Sequence, residues 1–145
     1  MAETFTHSLK VRFQHCDPAG IVFYPRYFEM INETVEVWFD ERLGVAFEAM
    51  QRDLAGTVPT ARIEIVFLAP SRHGDRLDFH LAPTRLGRSS LDLAIDAVSG
   101  ADQRLRMTST LVFVSTATLR PARWPAHLAA AIGRTLGCDD GARGP

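Results

Sequence analysis

Residues 15–43 read HCDPAGIVFYPRYFEMINETVEVWFDERL, a turn rich in Pro and Gly that leads into a long helical pattern. The helical pattern starts at Pro25, a residue type favoured in the first turn of a helix, and stops at Gly44. Its polar residues recur at steps of three and four and form one narrow stripe, namely Arg26, Glu29, Glu33, Glu36 and Asp40. Apolar residues fill much of the remaining circumference, which predicts a helix mostly wrapped by other structure.

Alternating apolar and polar residues on both sides of this helix predict β-strands. One strand is expected before the turn, at residues 8–14, and four after it, at about 62–67, 77–81, 91–96 and 105–113. Short connections between the last four favour an antiparallel meander. Two smaller helices are expected at about 45–54 and 124–136. This order predicts an α+β domain whose sheet curls around the long helix.

Composition and charge narrow the class of protein. The 145 residues predict a single domain over residues 1–137, followed by a flexible, Gly-rich tail at 138–145. A formal net charge of −1 gives no reason to expect nucleic acid or an anionic membrane as a partner. No apolar run approaches a membrane span, and the first residues do not resemble a signal peptide. The two cysteines lie far apart without metal-ligand spacing, so we expect a cytoplasmic protein with neither disulfide nor metal.

Asp17 is the candidate catalytic residue, because its carboxylate stands on the turn directly before the long helix. The residue before Pro25 is Tyr24, which is not a capping residue, so the first N–H groups of the helix have no obvious partner. Such donors would polarise a thioester or ester carbonyl while Asp17 attacks it or activates water. The plainer interpretation is an ordinary Asp-Pro turn in which the carboxylate bonds its own backbone. Residue types alone favour that plainer interpretation.

The order of these residues resembles the active-site motif of the hydroxybenzoyl-CoA thioesterase family of hotdog-fold proteins. The matching residues are Asp17-Pro18-Ala19-Gly20-Ile21-Val22, Tyr24-Pro25 and Tyr27-Phe28. The resemblance implies an antiparallel sheet of five or six strands wrapped around one long central helix. It also implies that Asp17 is the catalytic carboxylate and that the N–H at about Tyr24 polarises the carbonyl. Relatives of this kind hydrolyse acyl-CoA to a free acid and CoA without metal or organic cofactor, as dimers or tetramers with sites at subunit interfaces.

The resemblance also suggests which residues meet the substrate. An aromatic acyl group, benzoyl or hydroxybenzoyl, is expected in a pocket formed by Gly20, Phe23, Tyr27, Phe28 and Thr60. A basic hairpin with Arg85, Arg88 and Ser89 is expected to bind the phosphates of CoA. An ordinary solvated hairpin explains the same residues about equally well.

Several alternatives stay open at this level. The same motif is compatible with two other substrate classes, short aliphatic acyl-CoA and thioesters on acyl carrier protein. It is also compatible with a protein that binds acyl-CoA without cleaving it. His15 is a departure from the family pattern; it either influences Asp17, contacts substrate or faces water. Cys16 is expected to be a small buried packing residue, because adjacent residues on an extended chain point to opposite sides and make a poor nucleophile–base pair.

Overall fold

The structure is a computed structural model that describes residues 2–137, so the predicted flexible tail at 138–145 lies outside the described residues. Its elements follow in chain order: β1 (Phe5–Lys10), α1 (Pro25–Trp38), α2 (Phe47–Leu54), β2 (Gly56–Thr57), β3 (Thr60–Phe67), β4 (Arg76–Leu86), β5 (Ser90–Ser99), β6 (Asp102–Val112), β7 (Val114–Ser115) and α3 (Ala126–Thr135).

Five strands form one antiparallel sheet in the order β1-β4-β5-β6-β3, while β2 and β7 pair separately. The predicted meander of the last four strands is wrong for its first member: β4, β5 and β6 follow one another, but β3 crosses to the far edge and pairs with β6. The face of the sheet that packs on the core is built by strict alternation. In β5, for example, Leu91, Leu93, Ile95 and Ala97 are buried while the residues between them are only half-buried. This alternation places one apolar face against α1. The predicted hotdog fold, an antiparallel sheet around one long helix, is confirmed.

The long helix forms over the whole predicted span. After Trp38 it continues through a π-helical turn, Phe39–Leu43, and ends at Gly44, whose positive φ of 74° favours glycine. Trp38 and Phe39 are fully buried, and each such side chain contributes about 2–3 kcal/mol of burial free energy. The side of α1 that carries Glu29 and Glu33 is exposed. Within one chain, the helix is therefore covered on one side rather than wrapped all round.

The predicted boundaries of the first strand are wrong. β1 begins at Phe5 and ends at Lys10, because its partner β4 begins at Arg76, directly opposite Lys10. Beyond that point the chain leaves the sheet and forms a 3₁₀ turn, Phe13–His15. Phe13, which continues the alternating pattern in the sequence, is 81% exposed.

The edge strand β3 differs from the other strands of the sheet. The sequence pattern predicts one buried and one exposed face, yet in a single chain seven of its eight residues are exposed. Several large apolar side chains in β3, and that of the residue after it, are exposed: Ile63, Val66, Phe67 and Leu68. An edge strand whose apolar side chains are exposed to solvent is suited to pairing with another chain.

Candidate active site

The turn around Asp17 is a small hairpin closed by a bridge between Cys16 and Val22. The backbone N–H of Asp17 donates to the carbonyl of Ile21 at 2.9 Å, and that of Gly20 donates back to the carbonyl of Asp17 at 2.9 Å. Gly20 has a φ of +80°, a conformation that side chains other than glycine disfavour. The hairpin thus holds the half-buried Asp17 in one backbone geometry.

The two oxygens of the Asp17 carboxylate have different surroundings. Oδ1 accepts the backbone N–H of Ala19 at 2.9 Å, which is the turn hydrogen bond of the plainer interpretation. Within residues 2–137, Oδ2 accepts no hydrogen bond. The turn bond therefore orients the carboxylate and leaves one oxygen available for chemistry, so the two interpretations of Asp17 are compatible.

Segment 71–73, which precedes β4, anchors this hairpin. Val22 donates its N–H to the carbonyl of Ser71 at 2.9 Å, and His73 donates to the carbonyl of Gly20 at 3.4 Å. Phe23 donates to the carbonyl of His15 at 2.9 Å on the other side. These bonds hold the Asp17 hairpin beside the start of α1.

The start of α1 has fewer free donors than the sequence suggests. Arg26 donates its N–H to the carbonyl of Phe23 at 2.8 Å, and Tyr27 donates to that of Tyr24 at 3.1 Å. Pro25 has no N–H, and no side chain caps the helix. Among the described residues, the N–H of Tyr24 donates to no protein acceptor. The free donor at the helix start thus belongs to the residue that the resemblance singled out, although the oxyanion role of Tyr24 stays a prediction.

An aromatic cluster joins α1 to the end of β3. The ring of Phe67 lies 6.1 Å from that of Tyr24, 5.6 Å from that of Tyr27 and 6.5 Å from that of Phe28. An apolar groove of about 580 Å³ opens beside this cluster, lined by Val22, Tyr24, Tyr27, Phe67, Leu68, Ala69 and Pro70. Sequence reasoning missed Phe67, because its position in an alternating strand predicts only a core residue.

A buried polar network supports the same region. The hydroxyl of Tyr27 donates to Oγ of Ser71 at 2.9 Å, and Nη1 of Arg104 donates to the same oxygen at 3.0 Å and to Oδ2 of Asp75 at 2.8 Å. The backbone N–H of Arg72 and the Arg104 guanidinium hold the pKa of Asp75 below its usual range. Since its hydroxyl is engaged in this network, Tyr27 offers only its ring to the groove. None of the network was predicted from the sequence.

The predicted acyl pocket does not form as one site in a single chain. Phe28 and Thr60 line a separate groove of about 320 Å³ farther along α1. Thr60 and Phe67 are at opposite ends of the eight-residue β3, about 23 Å apart. Phe23 is 47% exposed, and its ring contacts that of Tyr24 edge-to-face, with 5.7 Å between the ring centroids. It lines neither groove.

The basic hairpin lies far from Asp17 within one chain. The Asp17 hairpin contacts the segment before Arg76, where β4 begins, whereas Arg85, Arg88 and Ser89 lie at or beyond its other end. β4 has 11 residues, so its ends are about 33 Å apart. Both guanidiniums are exposed, and neither forms a salt bridge within the described part of the chain.

His15 and Cys16 support the hairpin. Nδ1 of His15 accepts the backbone N–H of Arg12 at 2.8 Å, and burial lowers the pKa of this imidazole. Cys16 packs against the core, as expected, but is half-buried rather than buried.

Among residues 2–137, no group of three or more His, Cys, Asp or Glu side chains is arranged to hold a metal ion. None of the helices in that range has the length and apolar character needed to span a bilayer.

Known proteins resemble this chain in sequence and in fold. A 1,4-dihydroxy-2-naphthoyl-CoA hydrolase from Synechocystis sp. is 32% identical over 83 residues, which are 57% of this chain and 59% of that protein. The chain thus matches less than two thirds of that relative's length. The crystal structure of a 1,4-dihydroxy-2-naphthoyl-CoA thioesterase from Synechocystis superposes with a TM-score of 0.81 at 23% identity, covering 89% of this chain and 95% of the other. A thioesterase superfamily protein from Jannaschia sp. gives a TM-score of 0.83 at 26% identity, covering 90% and 92%.

The family model of the Thioesterase-like superfamily matches residues 11–132, which include the Asp17 hairpin, α1 and the strands that follow. Because this match covers most of the chain, and the architecture agrees with it, the chain belongs to the Thioesterase-like superfamily.

Proposed function

We propose that this protein is an acyl-CoA thioesterase that hydrolyses an aromatic acyl-CoA to the free acid and CoA. One observation carries the proposal: a half-buried carboxylate is held beside the start of α1, and among residues 2–137 neither its Oδ2 nor the N–H of Tyr24 has a hydrogen-bond partner. Membership of the Thioesterase-like superfamily and the likeness to a 1,4-dihydroxy-2-naphthoyl-CoA hydrolase support it.

In the proposed reaction, the thioester carbonyl accepts the N–H of Tyr24. The carbonyl oxygen gains negative charge during attack, and a preoriented donor at the positive end of a helix stabilises that charge. Asp17 then acts in one of two ways. Its free oxygen attacks the carbonyl carbon and displaces the CoA thiolate, leaving an anhydride that water hydrolyses, or it takes a proton from the water that attacks directly. Neither route uses a metal or an organic cofactor.

The aromatic groove beside Phe67 is the proposed site of the acyl group. Aromatic rings prefer edge-to-face and offset contacts, and the rings of Tyr24, Tyr27 and Phe67 provide such partners for a benzoyl or hydroxybenzoyl group. The groove of about 580 Å³ also has room for a larger, two-ring acyl group such as the one in the relative's name.

The protein is proposed to work as a homodimer or homotetramer in the cytoplasm. β3 has an open edge and exposed apolar side chains at Ile63, Val66 and Leu68, which favours pairing with a second copy. An assembly also gives Arg85, Arg88 and Ser89 a role in the site. These residues lie about 33 Å from the end of β4 that is next to Asp17 of the same chain. In an assembly they would therefore bind the CoA phosphates of a site on another subunit.

A thiol-release assay tests this function. We would measure kcat/KM for benzoyl-, hydroxybenzoyl-, 1,4-dihydroxy-2-naphthoyl- and short aliphatic acyl-CoA, and for one acyl group on acyl carrier protein. We expect aromatic acyl-CoA substrates to exceed the others by about tenfold or more, since one or two buried ring contacts are worth this much. Faster turnover of the aliphatic or carrier-protein thioesters would replace the proposed substrate class. Binding of acyl-CoA without thiol release would replace catalysis by a binding role.

A further inference from the structure

A third groove, on the β1 side of α1, is lined by basic side chains that the reaction above does not use. It has a volume of about 490 Å³, and its lining includes Lys10, Arg12, His15, Glu29, Glu33 and Arg76. Lys10, Arg12 and Arg76 come from β1, the segment after it and the first residue of β4. We call this the basic groove.

Three cations line the same groove. Lys10 and Arg76 are directly opposed in the β1–β4 ladder, an arrangement that costs stability when both residues carry the same charge. None of Lys10, Arg12 and Arg76 forms a salt bridge among the residues that the structure describes. The chain as a whole carries a net charge of −1, so this concentration of positive charge is local.

The two acidic residues of the basic groove already have partners. Glu33 binds Nε2 of His7 at 2.7 Å, and Glu29 binds Nη1 of Arg26 at 2.9 Å. Both carboxylates thus form hydrogen bonds with groups other than the three cations, and the three cations and two carboxylates together leave the lining with a formal charge of +1. His15 adds a neutral donor, because its Nδ1 accepts a hydrogen bond and its uncharged ring then carries the proton on Nε2.

We propose that the basic groove binds a phosphate or diphosphate group. Guanidiniums donate two parallel hydrogen bonds to phosphate oxygens, and an ammonium group adds a mobile point charge. The location favours a role near the reaction, since His15 stands two positions before Asp17 and lines the groove. The Arg85–Ser89 hairpin, by contrast, is at the far end of β4.

Two sources offer this chemistry. One is the nucleotide of the acyl-CoA substrate bound by the same subunit, in which case the inference rests on the proposed function. The other is a free phosphate compound that binds beside the site. Both require the same three side chains, so one set of variants tests them.

The test compares the triple variant Lys10→Gln/Arg12→Gln/Arg76→Gln with wild type. Arg134→Gln is the matched control, because Arg134 is also exposed and forms no salt bridge within the described range 2–137, but lies on α3. Titration calorimetry with inorganic diphosphate at physiological ionic strength measures the site directly. In parallel, KM is measured for one acyl-CoA and for the same acyl group on pantetheine, which has no phosphate.

We expect the triple variant to bind diphosphate at least about tenfold more weakly, or to show a KM for acyl-CoA raised about tenfold, with the pantetheine thioester unaffected. A raised KM for acyl-CoA alone identifies the substrate nucleotide as the ligand. Lost diphosphate binding with an unchanged KM identifies a free phosphate compound. The inference fails if both quantities match wild type, or if Arg134→Gln changes them equally.

The calorimetric arm does not depend on turnover. If the protein hydrolyses no thioester, the proposed function fails, while diphosphate binding still decides the basic groove. The three side chains are exposed, so we expect the variant to fold, and the single variant Lys10→Gln serves if it does not.

Discussion

The two ends of the sheet are built differently. At the α1 end lie the Asp17 carboxylate, the Tyr24 N–H, which has no acceptor among residues 2–137, and the aromatic groove. Hydrogen bonds to segment 71–73 anchor the Asp17 hairpin there. At the hairpin end, the backbone is engaged, with Ser89 and Arg88 accepting hydrogen bonds from Phe113 and Trp124, while the two guanidiniums extend into solvent. The difference supports the proposal that one chain assembles the groups for chemistry, whereas nucleotide recognition is proposed to use a neighbouring subunit or the basic groove.

The strongest test of this contrast is Asp17→Asn at the α1 end. We expect kcat to fall at least about a hundredfold, close to 3 kcal/mol of transition-state stabilisation, since the amide can neither attack nor accept a proton. Asp40→Asn is the control, because the Asp40 side chain is exposed and forms no salt bridge within residues 2–137. Near-normal turnover of Asp17→Asn, with the fold intact by circular dichroism, would remove the catalytic role.

The buried network under the site gives the next effect. Arg104→Met deprives Asp75 and Ser71 of a charged donor, and we expect a loss of about 2 kcal/mol in the free energy of unfolding. Arg106→Met is the control, because Arg106 is exposed and forms no salt bridge among the described residues. Equal denaturant midpoints for the two variants would contradict a stabilising network.

The same network predicts a pH dependence. The folded-state pKa of Asp75 is lowered, so its stabilisation is fully present above the pKa of the unfolded chain and is lost as pH falls through the lower folded value. Wild type should therefore lose stability below about pH 4, and Arg104→Met should lose less over the same interval. Parallel melting-temperature curves for the two proteins would count against this coupling.

Phe67→Ala tests the aromatic groove. Removing the ring that contacts Tyr24, Tyr27 and Phe28 should lower kcat/KM for aromatic acyl-CoA by about tenfold, with less effect on short aliphatic acyl-CoA. Phe13→Ala controls for the loss of an exposed ring that lines neither groove beside α1 and β3. Because Phe67 is on β3, light scattering must show that the oligomeric state is retained. Equal losses for both substrate classes would indicate a structural role only.

The smallest effect is expected at the hairpin end. Arg85→Gln/Arg88→Gln should raise KM for acyl-CoA about fivefold and leave kcat nearly unchanged, because these side chains are proposed to touch only phosphates. The acyl-pantetheine thioester should not respond. If acyl-CoA and acyl-pantetheine respond alike, the hairpin does not bind the nucleotide.

What the sequence predicts depends on how local the signal is. The span of α1, the succession of elements along the chain and the Asp17 hairpin follow from periodicity and turn residues within short windows, whereas the pairing of β3 with β6 does not. The end of β1 does not, since it depends on where β4 begins. The Tyr27–Ser71–Arg104 network joins residues 33 and 44 positions apart, so no local pattern reveals it. The exposure of β3 could not be predicted either, because an alternating apolar and polar sequence is the same in an edge strand as in a central strand.

Phe67 belongs both to the open edge of β3 and to the wall of the aromatic groove. If subunits join through that edge so that a second copy completes the wall of the groove, acyl-CoA binds the dimer more tightly than the monomer, and linkage requires acyl-CoA to strengthen dimerisation by the same factor. Dilution of the enzyme would then weaken acyl-CoA binding, and saturation with acyl-CoA would shift the monomer–dimer equilibrium towards dimer.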